Sequence, residues 1–254
     1  MSSKLYEKDL FLNDNIFYFF NKSIYEYDMK NAGFNLTRAY NLLPKSKIEE
    51  LGRMKKERRT IEIGKIQRKD DVYKNKLLQA FKEARRMFFE MNNIEDSDII
   101  SIKKDAIFTT KRCDFQKFLE FIEFRNKNYY TSYIRLSKKI ELYYSESQMD
   151  IKGLGKESLE YHKDYLIHFI HLYFKKMECD EPAATLEFIR KFIDKYKRRE
   201  LNVGYYRRFE RDPYFQIIND DSKYYEYWEE NKDEIDITYN YFEVFIKLAK
   251  IPLW

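Results

Sequence analysis

The sequence predicts an α+β chain: an antiparallel, palm-like sheet with helices, followed by an all-helical C-terminal part. Three observations predict it. Short alternating apolar runs, the signature of half-buried strands, fill much of the first 150 residues. Beyond residue 156 the apolar residues recur at helical spacing. Only six Gly and four Pro punctuate 254 residues, which favours long helices over turn-rich structure. A chain of this length makes about two domains on the usual scale of roughly 100–200 residues each. The break is placed near Asp150, giving residues 1–150 and 151–254.

In chain order, residues 16–20 (IFYFF) and 23–27 (SIYEY) read as two short strands joined at Asn21-Lys22, an acceptable hairpin turn. Asp28 ends the second strand. Ala32, Leu36, Ala39 and Leu43 then recur at helical spacing, and Pro44 stops that helix. Residues 45–59 read as a basic helix and residues 60–67 (TIEIGKIQ), which alternate, as a strand. Asp70-Asp71 caps a strong helix over 72–91, with Leu77, Leu78, Phe81, Ala84, Phe88 and Met91 on one face. Residues 99–103 (IISIK) and 106–110 (AIFTT) form a hairpin with Lys104-Asp105 at its turn. Further strands are expected at 118–125, 129–136 and 139–144, a break at 150–155 (DIKGLG), and helices at 156–178, 183–200 and within 221–248.

Composition excludes several classes. With 44% hydrophobic and 36% charged residues, the chain is neither a disordered tail nor a membrane protein, and no apolar run approaches the ~20 residues of a membrane helix. The start, MSSKLYEKDL, has no apolar segment of a secretory signal. Two cysteines, Cys113 and Cys179, form neither a disulfide framework nor a zinc motif, which fits a reducing compartment. His168 and His171 share a helix face, but no carboxylate or Cys is spaced to complete a zinc site. The 23 Tyr and 21 Phe accompany much Lys, Asn and Ile, so codon bias explains them as readily as base stacking.

The net charge of +5 is segregated. Residues 45–69 carry ten Lys or Arg against four Glu, residues 186–211 nine against four acids, and residues 215–254 nine acids against four Lys. Basic blocks separated in sequence can line a groove that tracks a phosphate backbone; equally, such runs solvate outer helix faces. Arg53, Lys55, Lys56, Arg58, Arg59 and Arg68 are the candidate contacts of the first block. Arg198, Arg199, Arg207 and Arg208, interleaved with Tyr205 and Tyr206, are those of the second, where rings could stack on bases.

One arrangement carries chemistry. Asp28 ends a strand, and Asp105 sits at a hairpin turn. Neighbouring antiparallel strands can bring two such carboxylates together, where they repel unless a cation lies between them. Mg²⁺ takes oxygen ligands and leaves room for substrate phosphates. Two such ions about 4 Å apart clamp the attacking and leaving oxygens of phosphoryl transfer. Asp28 reads equally as a helix N-cap and Asp105 as a plain turn residue.

This order resembles the palm of template-directed nucleic-acid polymerases, most closely a reduced family B type of phage and mobile-element origin. Tyr27-Asp28-Met29-Lys30-Asn31-Ala32-Gly33-Phe34 looks like the first palm motif, D-x-x-S-L-Y-P. Ser101-Ile102-Lys103-Lys104-Asp105-Ala106 looks like the third, Y-x-D-T-D-S, with Asp105 in place of its second, metal-binding Asp. Lys152-Gly153 looks like the Lys-Gly pair before a thumb. The resemblance implies a DNA polymerase-like nucleotidyltransferase using two-metal chemistry, with Mg²⁺ or Mn²⁺ held by Asp28 and Asp105. It further implies a nucleotide substrate, nucleic acid held also by Lys152, and a thumb-like helical remainder. Lys103 stands where the first Asp of D-T-D would be and Gly33 where a sugar-supporting Tyr would be. The fingers motif K-x-x-x-N-S-x-Y-G is absent. That leaves room for a protein partner supplying the fingers function. It also keeps open a non-catalytic nucleic-acid-binding protein built on a degenerate palm. The expected location is the cytoplasm of a bacterial host or phage-infected cell.

Overall fold

The computed structural model describes residues 4–136, 138, 140–153, 168–179, 182–201 and 230. Its strands are β1 (Leu10–Leu12), β2 (Tyr18–Phe19), β3 (Ile24–Met29), β4 (Ile99–Lys103), β5 (Ala106–Thr109), β6 (Lys117–Leu119), β7 (Ile122–Tyr130), β8 (Ser132–Arg135), β9 (Glu141–Ser145) and β10 (Gln148–Lys152). Its α-helices are α1 (Ala32–Ala39), α2 (Lys45–Arg53), α3 (Lys56–Lys69), α4 (Asp71–Met91), α5 (His168–Cys179) and α6 (Pro182–Lys197). These elements form the antiparallel α+β architecture the sequence predicts. They fall into two compact units. The first comprises the chain to Ile16 together with Lys22–Tyr130; the second comprises Phe17–Asn21 and the described residues from Thr131 onward. The sequence places a boundary near Asp150, whereas the units change over between Tyr130 and Thr131.

In the first unit the sheet order is β1-β4-β5-β3-β7-β6, every pairing antiparallel. Alternation along β3 decides which face is core. Tyr27 and Met29 join Leu77, Phe81, Ala84 and Phe88 of α4 in one apolar cluster, whereas Glu26 and Asp28 lie on the opposite face. Phe88 is central, stacked on Phe124 at 4.6 Å and tilted against Tyr27 at 5.2 Å. α4 begins where the sequence says it should, because Asp70 caps it by accepting from the Tyr73 amide at 2.9 Å.

The second unit pairs β10-β9-β8-β2 and packs α5 and α6 against that sheet. Aromatic rings supply most of the contact: Tyr144 stacks on Phe174 at 4.8 Å and Phe169 meets Phe192 at 4.2 Å. Much of the aromatic excess is thus ordinary core. His171 packs edge-on against Tyr144 at 5.2 Å.

Several sequence expectations are corrected. Asn21 does turn the chain, with φ of 52°, but the expected hairpin of residues 16–20 and 23–27 does not form. β2 pairs with β8 in the second unit while β3 enters the first unit's sheet. α1 ends at Ala39, ahead of Pro44; Asn41, with φ of 48°, turns the chain there. The basic segment is two helices rather than a helix and a strand. Met54 is extended and packs its side chain on the core, which breaks the helix between α2 and α3. Ile63 and Ile66, three residues apart, face that core, while Ile61 is exposed, so helical spacing outcompetes the alternation. Residues 122–130 are one continuous strand where two were expected. Gln148–Lys152 is a strand, with Asp150 opposite Tyr143, and the break comes at Gly153. Of the expected later helices, residues 156–167 and most of 221–248 lie outside the described residues.

Gly64 tests the helical assignment of α3. Apart from its chain neighbours and the backbone of its own helix, nothing lies within 4 Å of where its Cβ would be. Gly64→Ala should therefore stabilise the protein by about 1 kcal/mol, the helix-interior difference between the two residues, raising Tm by roughly 2–4 °C. A melt showing no change or a decrease contradicts the helix.

Candidate nucleic-acid interface and acidic pair

Asp28 lies on β3, opposite Ala106 of β5 on one side and Arg125 of β7 on the other. The next amide, Met29 N–H, donates to the Asp105 carbonyl at 2.9 Å. This bond joins the end of β3 that carries Asp28 to the β4–β5 turn that carries Asp105, at one end of the sheet. The N-cap reading of Asp28 does not hold. Asn31, with φ of 48°, is the N-cap of α1, and Asp28 Oδ2 instead accepts from Arg125 Nη2 at 3.5 Å. The turn reading of Asp105 does hold, since it follows Lys104 with φ of 58° in the β4–β5 turn. Burial raises the pKa of the Asp105 carboxyl, and the Asp28 charge adds to the rise, while Lys104 and Lys127 oppose it. Among the described residues no three His, Cys, Asp or Glu side chains are grouped to hold a metal ion.

Further charged residues belong to this face of the sheet. Glu26 is only 2% exposed and is held by Lys127 Nζ at 3.1 Å, Asn128 Nδ2 at 2.6 Å and the Tyr130 hydroxyl at 3.0 Å. Lys127 is the extra residue of a bulge: Glu26 pairs with Asn128 and Tyr27 with Asn126, so Lys127 is skipped. Sequence reasoning missed Arg125, Lys127 and Glu26. Their only local trace was a Glu and two cations within strand-forming segments.

Beneath this end lies Arg85, on the buried stripe of α4 and wholly inaccessible. Its Nε donates to the Tyr6 carbonyl at 2.7 Å, Nη1 to the Lys104 carbonyl at 2.7 Å, and Nη2 to Asp9 Oδ1 at 2.8 Å. It thus ties the N-terminal segment and the turn carrying Asp105 to α4.

The start of α1 links the acidic pair to the basic block. Gly33 lies against Ile63 of α3, with 3.5 Å between its notional Cβ and that side chain. Phe34 is covered by the Arg59 guanidinium at 4.4 Å and approaches Gly52 of α2. The α2–α3 corner is therefore built on the helix that leaves Asp28. On that corner Arg53, Lys55, Lys56 and Arg58 are exposed and make no ion pair with any described residue. Lys55 is the N-cap of α3, and Lys56, Arg58 and Arg59 share its first turn with the single acid Glu57, at the end of a helix that repels cations and attracts anions. Arg68 is exposed at the far end of α3, its Nε donating to the Gly64 carbonyl at 3.3 Å.

The other predicted contacts belong to the second unit. Lys152 lies on β10 and pairs with Asp150 at 3.1 Å. Arg198 lies 4.0 Å from Glu200, and Arg199, with φ of 58°, donates its amide to the Tyr196 carbonyl as the chain leaves α6. Arg207 and Arg208 fall outside the described residues. No described helix is long and apolar enough to cross a membrane.

A family model described as Bacteriophage PBS1 gene 130 protein matches residues 1–253, and the chain belongs to that bacteriophage family. No curated protein matches the sequence.

Proposed function

We propose that this bacteriophage family member is a nucleic-acid-binding protein whose first unit holds a phosphate backbone on the α2–α3 corner. The observation that carries this reading is the cluster of Arg53, Lys55, Lys56 and Arg58, exposed and in no salt bridge with a described residue, at a helix start that disfavours cations. Residues 53–59 set five cations against the single acid Glu57, whereas Lys47–Glu50 and Lys65–Glu62 on the same helices are one-to-one pairs. A phosphate relieves the repulsion among these cations and releases counterions on binding.

The test is charge reversal. Arg58→Glu with Arg59→Glu should weaken binding of a labelled single strand by about tenfold or more at low salt, since each lost phosphate contact also lowers the counterion release. Because Arg59 covers Phe34, the pair Arg53→Glu with Lys56→Glu, both exposed, serves as a second variant that leaves packing alone. Unchanged affinity in both variants, each with a wild-type melt, reduces the corner to a solvated face.

A second reading is supported by the Met29-to-Asp105 backbone hydrogen bond, which joins the end of the strand carrying Asp28 to the turn carrying Asp105. It is a palm-like nucleotidyltransferase. One or two protein carboxylates with substrate phosphates and waters is a donor set that suits Mg²⁺, so Asp28 and Asp105 would hold Mg²⁺ or Mn²⁺. The ion would supply charge stabilisation for phosphoryl transfer. The chain's own contribution would be positioning. Arg85 fixes the Asp105 turn, Arg125 orients Asp28, and the α2–α3 corner holds the strand.

A further inference from the structure

A groove of about 860 Å³ lies on the first unit, between α4, the N-terminal segment and the end of α1. That volume is the size of a small-molecule site. Its walls combine three kinds of chemistry. Tyr6 and Tyr40 supply aromatic rings. Asn75 and Gln79, one turn apart on α4, present carboxamides that have no hydrogen-bond partner among the described residues. Lys76 and Lys82 bring ammonium groups with no ion pair among those residues. Two acids line the groove: Glu7 is exposed, and Glu83 is neutralised by Arg86, which binds it through Nε at 2.9 Å and Nη2 at 2.5 Å. Lys76 and Lys82 against Glu7 leave the balance positive, so the groove offers a stacking surface, a paired donor–acceptor edge and a net positive charge.

We propose that this groove is a nucleotide site. The base stacks on a tyrosine ring. Its edge meets the Asn75 and Gln79 carboxamides, each of which provides a donor and an acceptor and can pair bidentately with a base. The phosphate meets Lys76 or Lys82. The nucleotide is either free or one residue of a bound strand, and only the second source rests on the nucleic-acid reading above. The groove uses none of the α2–α3 cations, so the two surfaces are separable by mutation.

The experiment measures two probes on the intact chain: the four nucleoside monophosphates by equilibrium dialysis, and a short labelled single strand by filter binding. The main variant is Asn75→Ala with Gln79→Ala, exposed helix positions where Ala is the best helix former. Tyr40→Ala, compared with Tyr40→Phe, tests the ring. The double variant should weaken whichever probe occupies the groove by about tenfold, the worth of one bidentate base contact. Tyr40→Ala should do the same, and Tyr40→Phe should restore binding. Loss of mononucleotide binding identifies a free nucleotide as the occupant. Loss confined to the strand identifies a base of the strand. Strand binding that is intact in both groove variants, with no mononucleotide bound, overturns the groove while leaving the α2–α3 reading standing. Mononucleotide binding lost in the variants, with no strand bound by wild type, upholds the groove and removes the strand reading. Neither probe bound by wild type overturns both.

Discussion

Arg85→Met should destabilise the protein by about 2–4 kcal/mol, the cost of leaving two partly buried carbonyls unpaired at about 1–3 kcal/mol each. Methionine keeps the bulk and the apolar stem of the side chain while removing all three donors. The Tyr6 and Lys104 carbonyls lose their guanidinium partners, and Asp9 loses its ion pair at 2.8 Å. Asp9 is partly exposed and can be hydrated, so the carbonyls carry most of the cost. Tm should fall by roughly 10 °C. Arg85→Lys should recover little of this, because one ammonium cannot reach three acceptors from a guanidinium's fixed fork. A loss below about 1 kcal/mol, the scale of a surface pair, contradicts the role assigned to Arg85. The same variant frees the β4–β5 turn, so any chemistry dependent on Asp105 should fall with it.

Replacing either aspartate abolishes any metal-dependent nucleotide transfer, and the accompanying stability changes separate a functional pair from two structural residues. Burial and the Asp28 charge hold the Asp105 carboxyl above its ordinary pKa. The folded state then binds this proton more tightly than the unfolded state does. Stability falls as pH rises from the ordinary carboxylate range through the raised folded value, and the cost is fully present above it. Asp105→Asn removes that cost, so in metal-free buffer it should be as stable as wild type or more so at neutral pH. The gain should vanish below the ordinary carboxylate pKa. Asp28→Asn gives up only a partly exposed contact with Arg125 at 3.5 Å, worth at most about 1 kcal/mol, and relieves the same repulsion. With Mg²⁺ the wild type should gain thermal stability by mass action, and both variants should lose that gain. Metal-independent destabilisation of both variants contradicts the pair as a functional unit.

What could be read from the sequence was local. α4 announced itself through its apolar stripe and the Asp70 cap, and the β4–β5 hairpin through two strand-like runs around Lys104-Asp105. That the strand end carrying Asp28 adjoins the turn carrying Asp105 follows from chain order plus one assumption, that neighbouring strands pair. What stayed hidden was non-local or competitive. Residues 60–67 satisfy a strand's alternation through Ile61 and Ile63 and a helix's spacing through Ile63 and Ile66; only the core they face decides between them. Residues 16–20 and 23–27 look like hairpin partners, yet β2 finds β8 more than a hundred residues away. Arg125 and Lys127 acquire meaning only when β7 pairs with β3 and bulges. Arg85 did leave a signal. It occupies the stripe of Phe81, Ala84 and Phe88, and a lone arginine at a core position must be fully paired.

The central claim is that the α2–α3 corner binds nucleic acid by neutralising phosphates. The most direct test is the affinity of wild type and the Arg58→Glu/Arg59→Glu variant for a labelled single strand across salt from about 50 to about 200 mM. The account predicts steep, linear loss of log affinity with log salt for wild type, and a slope shallower by about two or more for the variant, since each lost phosphate contact removes about one unit. Equal slopes in the two proteins, or no binding by wild type at low salt, would contradict it.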